Sequence, residues 1–325
     1  MEITDLAGLS EPLKRLIEVI SSGIGNVYKP YLIRKTADAK AYEIKVIANA
    51  MAESKKLLAH AEYEDGKVKV LALEEQSEDF PSLQHRADAR IQYRGQCEQQ
   101  NVEAVCANAA EELLRETTVP DGKPEPEWIS RFFDISSGIT SEELQFLWGR
   151  ILAGEIKRPG SFSLRTLDVL RNLSRKEAEN FVKLGNYILR SDEKVFYVDP
   201  TAYIFTKDGG LTFLDILALK HAGLIFETDL EFSFNPVGAG QMTYLTYGSL
   251  ILIFEREKDT QKLGTGIGLL TPVGIELLEL ITVQPDMEYL EFVGKRFAAD
   301  GVKPAWAPIL GMVGNQISFG AKTYM

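Results

Sequence analysis

The sequence predicts a mainly α-helical protein with a C-terminal α+β part, and three observations carry that expectation. Apolar residues recur at helical spacing through most of the chain up to Leu189, punctuated by serines and threonines placed as caps. The segment VPDGKPEPE at 119–127 holds three of the thirteen prolines and divides those helices into two groups. Beyond residue 191 short runs of β-branched and aromatic residues alternate with helical stretches. The expected organisation is an N-terminal antiparallel helical hairpin of coiled-coil character within 1–118, a central helical module over 124–190, and a winged-helix-like α+β domain over 191–325.

Ser10 is placed to cap a first helix whose Leu13, Leu16, Ile17 and Ile20 share one face, and Gly23 and Gly25 end it. After Pro30 a heptad-like pattern begins. Ala37, Ile44, Met51 and Leu58 stand seven apart, with Ala41 and Ala48 offset by four and Lys55 interrupting the third repeat. A seam so rich in alanine lets a second helix approach closely, which makes these residues the expected oligomer interface. The partner within the chain is expected from about Gln84 to Glu116, where Val102, Val105, Cys106, Ala109 and Leu113 share a face. The tip of this hairpin is the acidic stretch Glu62 to Pro81. There, Asp65-Gly66 followed by alternating Lys67, Val68, Lys69 and Val70 fits a short β-hairpin or a loop.

Past the proline-rich boundary, Trp128, Phe132 and Ile135 fall on one helical face, a spacing that marks core packing rather than a platform for stacking bases. Thr140 and Glu143 have capping-box spacing ahead of Leu144, Leu147, Trp148, Ile151 and Leu152, and Gly154 is placed to end that helix. The stretch Gly154 to Ser161, with its glycines, proline and basic residues, is not a phosphate loop. A Walker loop sets its glycines one residue closer together and places a lysine before the serine, where this chain has Gly160. It reads as a turn. Ser163 then caps a helix facing Leu164, Leu167 and Leu170 inward, and Ser174 with Glu177 forms a capping box before Ala178, Phe181 and Val182.

In the last third, Lys194 to Val198 reads as a strand and Leu211 to Ala222 as a helix ended by Gly223. Leu224 to Phe234 and Met242 to Glu255 read as two strands joined at Asn235-Pro236, and Thr271-Pro272 opens another helix carrying Val273, Leu277 and Leu278. Helices leading through Gly223-Leu224-Ile225 into a β-hairpin are the basis of the winged-helix expectation. A helix from Asp286 to Phe297 and a strand near Gln316 to Phe319 complete this part.

Composition narrows the function. The formal charge of −11 is uneven: sixteen acids face seven bases between residues 61 and 127, whereas nine bases face five acids between 157 and 194. The first stretch repels nucleic acid, and an anionic partner would land on the second, through Arg165, Arg171, Arg175, Lys176 and Lys183. Those residues interleave with acids on amphipathic helices, which is equally the look of a solvated face. Cys97 and Cys106 would sit about 13 Å apart on one helix, too far for a disulfide. His60, His85 and His221 have no zinc-ligand spacing with either thiol, so no metal or other cofactor is expected. The longest apolar run, Tyr244 to Phe254, is strand-sized, and MEITDLAGLSEP lacks the features of a secretory leader, so a cytoplasmic location is expected. The first helix could lie on a membrane surface, but its apolar face is short and burial in protein is preferred. No GxSxG, HExxH, Walker or GxGxxG pattern occurs. Asp134 with Glu155 and Lys157 is the best metal-nuclease constellation, yet Glu155 stands at a helix end where charges commonly solvate a turn, so no catalytic residue is assigned.

Four central motifs, W-I-x-x-F-F (Trp128–Phe133), L-W-G-R-I-L-A-G-E (Leu147–Glu155), P-G-S-F-S-L-R-T-L (Pro159–Leu167) and L-S-x-x-E-A-x-x-F (Leu173–Phe181), together resemble a bacterial domain-of-unknown-function family. S-E-P-L (Ser10–Leu13) and G-I-G-x-V-Y-x-P-Y (Gly23–Tyr31) are similar to it as well, so the resemblance covers most of the chain to about Leu189. The central helices are more distantly similar to abortive-infection alpha-type proteins, which are linked to defence against phage. The resemblance implies a helical, cytosolic, accessory or sensing role and supplies no catalytic residue. The expected function is a non-enzymatic interaction or sensor component of anti-phage defence that forms a homo-oligomer through its hairpin and meets a second protein. The alternatives are a winged-helix nucleic-acid-binding regulator and, third, a metal-dependent nuclease.

Overall fold

The computed structural model describes residues 10–25, 61–64, 67–70, 82–191, 194–198, 203–207, 210–228, 230–234, 238, 240–258, 263–298, 301–313 and 316–325. The chain divides into two units, Met1–Ser161 and Phe162–Met325.

In the first unit, helix α1 (Glu11–Ile24) starts behind Ser10 with Pro12 in its first turn, where a missing N–H costs nothing. It buries Leu13, Leu16, Ile17, Val19 and Ile20, so the first helix spends its apolar face inside the protein. Strands β1 (Ala61–Glu64) and β2 (Lys67–Val70) pair antiparallel with Glu64 opposite Lys67, while Asp65 and Gly66 lie outside the described residues. Helix α2 (Leu83–Leu113) is 31 residues long, and the Ser82 hydroxyl accepts the His85 N–H at its start. Helices α3 (Pro126–Ser136) and α4 (Glu142–Lys157) follow, and α2 makes its most extensive contact with α4. Trp128 stacks on Phe132 at 5.0 Å, and Phe132 meets Trp148 at 5.4 Å, so these aromatics are core.

Two expectations here are corrected. The residue ahead of α4 is Ser141 rather than Thr140, and its side chain makes no capping hydrogen bond. The helix also runs through Gly154 to Lys157, because Glu155 and Ile156 are both buried in the added turn. Their burial outweighs the helix penalty of glycine, about 1 kcal/mol.

In the second unit, α5 (Leu164–Asn172) and α6 (Arg175–Gly185) start on Ser163 and Ser174 caps, the latter a complete capping box with Glu177. Serine hydrogen bonds hold the Glu177 carboxyl below its ordinary pKa. There follow β3 (Leu189–Ser191), β4 (Lys194–Val198), α7 (Phe213–His221), β5 (Leu230–Phe234), β6 (Met242–Tyr247), β7 (Leu250–Arg256) and β8 (Leu263–Leu269). Then come α8 (Pro272–Leu278), α9 (Met287–Phe297), β9 (Val302–Val313), β10 (Gln316–Phe319) and β11 (Thr323–Tyr324). Among the described residues the strands form one antiparallel nine-stranded sheet, ordered β10-β9-β7-β6-β3-β4-β8-β5 with β11 also on β9. Helix α9 lies on β7, β8 and β9, where Phe297 meets Phe232, Phe234 and Phe254. The Glu276 carboxylate of α8 accepts the Ser163 N–H at 2.7 Å and the Thr166 hydroxyl at 2.5 Å, fastening the start of α5.

The α+β class stands, but strand pairing differs from expectation. The run 242–255 is two strands, folded at Gly248 with Tyr247 opposite Leu250; Gly248 takes φ +55°, a conformation glycine adopts without strain. Strand β5 pairs with β8 and not with the run after Asn235-Pro236. The sequence of β8, LGTGIGL, hides a strand behind glycines of low β propensity. Glycine is needed at Gly268 because any side chain there would collide with the Tyr197 ring. Among the described residues no helix is long and apolar enough to cross a membrane.

The α2–α4 contact is tight: a Cβ at Gly149 would come within 2.5 Å of the Asn108 Cβ and 2.9 Å of the Ala109 backbone nitrogen. Gly149→Leu is therefore expected to destabilise the protein by about 1–3 kcal/mol, read as a fall in the urea midpoint at unchanged slope.

Candidate interaction surface

Helix α2 leads two different lives. Its C-terminal half buries Val102, Val105, Cys106, Ala109, Ala110 and Leu113 beneath α1, α3 and α4. Burial pushes the Cys106 thiol far up, so this cysteine is an inert apolar group. The N-terminal half is solvent-facing: Leu83 is 75% exposed, Ile91 64% and Tyr93 71%. At the helical rise, the stretch from Leu83 to Gln100 measures about 27 Å. Its charges are partly tied along the helix, with Arg94 donating to Glu98 at 2.6 Å and Gln84 to Asp88 at 3.0 Å. Cys97 is partly exposed and, like Cys106, free.

Of the face read from the sequence for α2, Val102, Val105, Cys106, Ala109 and Leu113 are buried, among the described residues by α1, α3 and α4. The seam residues Ala37, Ala41, Ile44, Ala48, Met51 and Leu58, and His60, lie outside the described residues. Of the basic set, Arg165 and Arg171 are on α5 and Arg175, Lys176 and Lys183 on α6, all exposed. Two of them are engaged within the chain, Arg175 with Glu179 at 3.0 Å and Lys176 with Asp215 at 3.5 Å. Asp215, capping α7 through Thr212, is held down to about 2, first by the Thr212 hydroxyl and N–H and further by Asn180 and Lys176.

The nuclease constellation is not assembled by its hydrogen bonds. Asp134 is exposed on α3, the buried Glu155 accepts the Gly160 N–H at 2.6 Å, and Lys157 reaches Glu116 at 3.5 Å. Glu155 therefore closes the turn after α4, in keeping with the turn reading of that stretch. Among the described residues no group of three or more His, Cys, Asp or Glu could hold a metal ion. His85 is exposed near the start of α2, and His221 is in the last turn of α7, where a cation favours the helix end.

Sequence reasoning missed a polar cluster in the second unit. Lys207 forms an ion pair with Asp286, Lys207 donates to the Tyr203 hydroxyl at 3.2 Å, and that hydroxyl reaches Asp286 and Glu288 at 3.3 Å. Asp286 also caps α9, accepting the Glu288 and Tyr289 N–H groups, while its own N–H donates to Tyr247 at 2.8 Å. Only the cap was legible, as the start of the helix at Asp286; Lys207 is 79 residues away. Burial works to raise the Asp286 pKa, but the Lys207 ammonium and the Tyr289 N–H overcome it and hold the carboxyl below its usual range. Burial also raises the Tyr203 phenol, which keeps its proton and donates it as a hydrogen bond; the cluster is a latch for 203–207 on α9. A cavity of about 590 Å³ at the ends of β6, β7 and β9 is lined by Glu255, Arg256, Glu257 and Lys303, of which Glu255 pairs with Lys322 and Tyr324 and Glu257 with Lys303.

The family described as Protein of unknown function (DUF2806) matches residues 85–293, well over half of the chain. The chain belongs to this family. The match starts inside α2 and ends inside α9, so the DUF2806 region includes most of the two-sided helix and both compact units in part. Among curated proteins and among solved structures, none matches the chain.

Removing the latch anion by Asp286→Asn is expected to cost about 1–3 kcal/mol near neutral pH. Because the folded pKa of Asp286 lies below its unfolded value, this contribution is present above the unfolded carboxylate pKa and is lost as pH falls through the folded one. Urea titrations at a series of pH values should show the gap between parent and variant closing in acid.

Proposed function

We propose that this chain is a non-enzymatic interaction or sensing component of bacterial anti-phage defence, self-associating through an N-terminal helical hairpin. The observation that carries the interaction part is the exposed half of α2, because helices in proteins owe most of their stability to a packed face. Leu83, Arg86, Arg90, Tyr93 and Cys97 recur at three- and four-residue steps and make one side of that rod. The Ala37–Leu58 seam, about 32 Å long if helical, has the length and the small side chains to run along it and to bring in a second hairpin. The defence role rests on the resemblance of the central motifs, LWGRILAGE and PGSFSLRTL among them, to abortive-infection alpha-type proteins.

A second reading has a specific observation behind it. Helices α5 and α6 run directly into the β3–β4 hairpin, and α8 lies against α5, an order that suits a winged-helix nucleic-acid binder with Arg165, Arg171 and Lys183 outward. The ion pairs of Arg175 and Lys176 weigh against it. If it holds, DNA retention falls steeply with salt and disappears in Arg171→Glu/Arg175→Glu.

The first reading predicts that Ala41→Glu/Ala48→Glu lowers the mass measured by light scattering while circular dichroism keeps its helical signal. It also predicts fewer plaques on cells making the parent chain than on cells making this variant. An unchanged mass would count against the hairpin as the assembly surface, and equal plaque numbers against the defence role.

A further inference from the structure

We infer that strand β10 is an assembly edge on which a second copy of this chain adds its own β10, antiparallel, with Ser318 at the two-fold axis. The edge belongs to the second unit, so this goes beyond the self-association proposed for the N-terminal hairpin and does not rest on it.

Strand β10 ends the sheet, and among the described residues no strand pairs with its outer side. The Gly320 N–H donates to the Pro308 carbonyl of β9 at 2.9 Å, and along an antiparallel strand the N–H and C=O groups point to alternate sides. Ser318 therefore turns its backbone toward β9 as well, while Ile317 and Phe319 turn theirs away from the sheet. Outward backbone groups of this kind specify the partner, because an extended strand answers them in step. Sheet edges are commonly blunted with charges or proline. Here residues 304–321 contain no charged side chain and β10 contains no proline, whereas β5, at the opposite edge, carries Glu231.

The register selects a second copy as that strand. A two-fold axis perpendicular to the sheet at Ser318 sets Ile317 opposite Phe319 of the second copy and Phe319 opposite its Ile317, and it keeps every side chain on its own face of the sheet. Both outward residues then exchange both of their hydrogen bonds, and no outward group of the two is left over. An axis at Ile317 would instead set Phe319 against residue 315 of the second copy, beyond the end of β10. Each Ile–Phe pair places a β-branched side chain against an aromatic one, a favourable cross-strand combination. Ile317 and Phe319 are only partly buried where they pack on Ile251, Ile253 and Ala307, so the pairing carries that apolar cluster across the axis into its equivalent in the second copy. With no charge along the edge, the two copies meet without repulsion. The ladder is short, so the contact is weak alone.

The test is a symmetric cross-link in a Cys97→Ser/Ala41→Glu/Ala48→Glu background, which removes the partly exposed thiol and the hairpin seam. Ser318→Cys places two Cβ atoms about 4.5 Å apart across the axis, within disulfide reach. Gln316→Cys, exposed on the same strand, sets its two thiols about 14 Å apart and serves as the control. Mild oxidation should link the Ser318→Cys chains at least tenfold faster. Adding Ile317→Pro should erase the difference, because the lost N–H points outward and takes no ladder bond from the monomer. In the parent chain Ser318→Lys, which faces two ammonium groups across the axis, should reduce the rise of mass with concentration seen by light scattering. Equal linking by the two cysteines would overturn this edge and leave the seam to its own mass measurement; a strand supplied by another protein would give that result. Selective linking by Ser318→Cys, with Ala41→Glu/Ala48→Glu leaving the mass of the parent unchanged, would keep this edge and overturn the seam.

Discussion

The contact between α2 and α4 at Gly149 is the constraint on which the first unit depends. Two helices whose backbones come this close must interlock, and the other described helices of the unit are arranged around that junction: α1 touches α2, α3 and α4, and Trp128, Phe132 and Trp148 fill the space beside it. The clamp holds only half of α2. A helix so strongly anchored at one end can carry a polar, lightly apolar extension that would be marginal alone. That extension is where the interaction reading begins.

The second unit is organised by a different principle, with the sheet carrying the helices. Its helix ends are joined by carboxylates: Glu276 of α8 on the start of α5, Asp215 of α7 reaching Asn180 of α6, Asp286 of α9 holding Lys207. Each acid sits at a helix N-terminus of its own or of a neighbour, where the dipole favours negative charge, so acidic surplus here does structural work instead of marking a ligand site. Two cations of the basic stretch are also paired here, Lys176 with Asp215 and Arg190 with Glu279.

What was legible in the sequence follows from range. Caps and periodicity act within a few residues, so Ser163, the Ser174–Glu177 box, Gly223 and Thr271 appeared where the structure has them. Helix α2 was readable for the same reason, while the strands at 61–64 and 67–70 were one of two readings, hairpin or loop. Strand partners are set by distant packing, and there the reading failed. Strand β8 is disguised by its glycines, of which Gly268 leaves room for the Tyr197 ring, and β5 pairs with β8 instead of with its neighbour in sequence. The latch of Tyr203, Lys207 and Asp286 joins segments separated by 79 residues and left no local trace. For α2 the amphipathic stripe says that a face is covered, never by what, and the expected second arm of the hairpin lies outside the described residues.

A rod gripped along one half and, among the described residues, bare along the other is mechanically a lever. Tilting α2 by about ten degrees where α4 grips it would sweep the Leu83 end through roughly 5 Å, given its length of about 27 Å beyond the clamp. Any load applied at that end is delivered, concentrated, to the close-packed junction at Gly149, where interiors yield in discrete steps instead of bending smoothly.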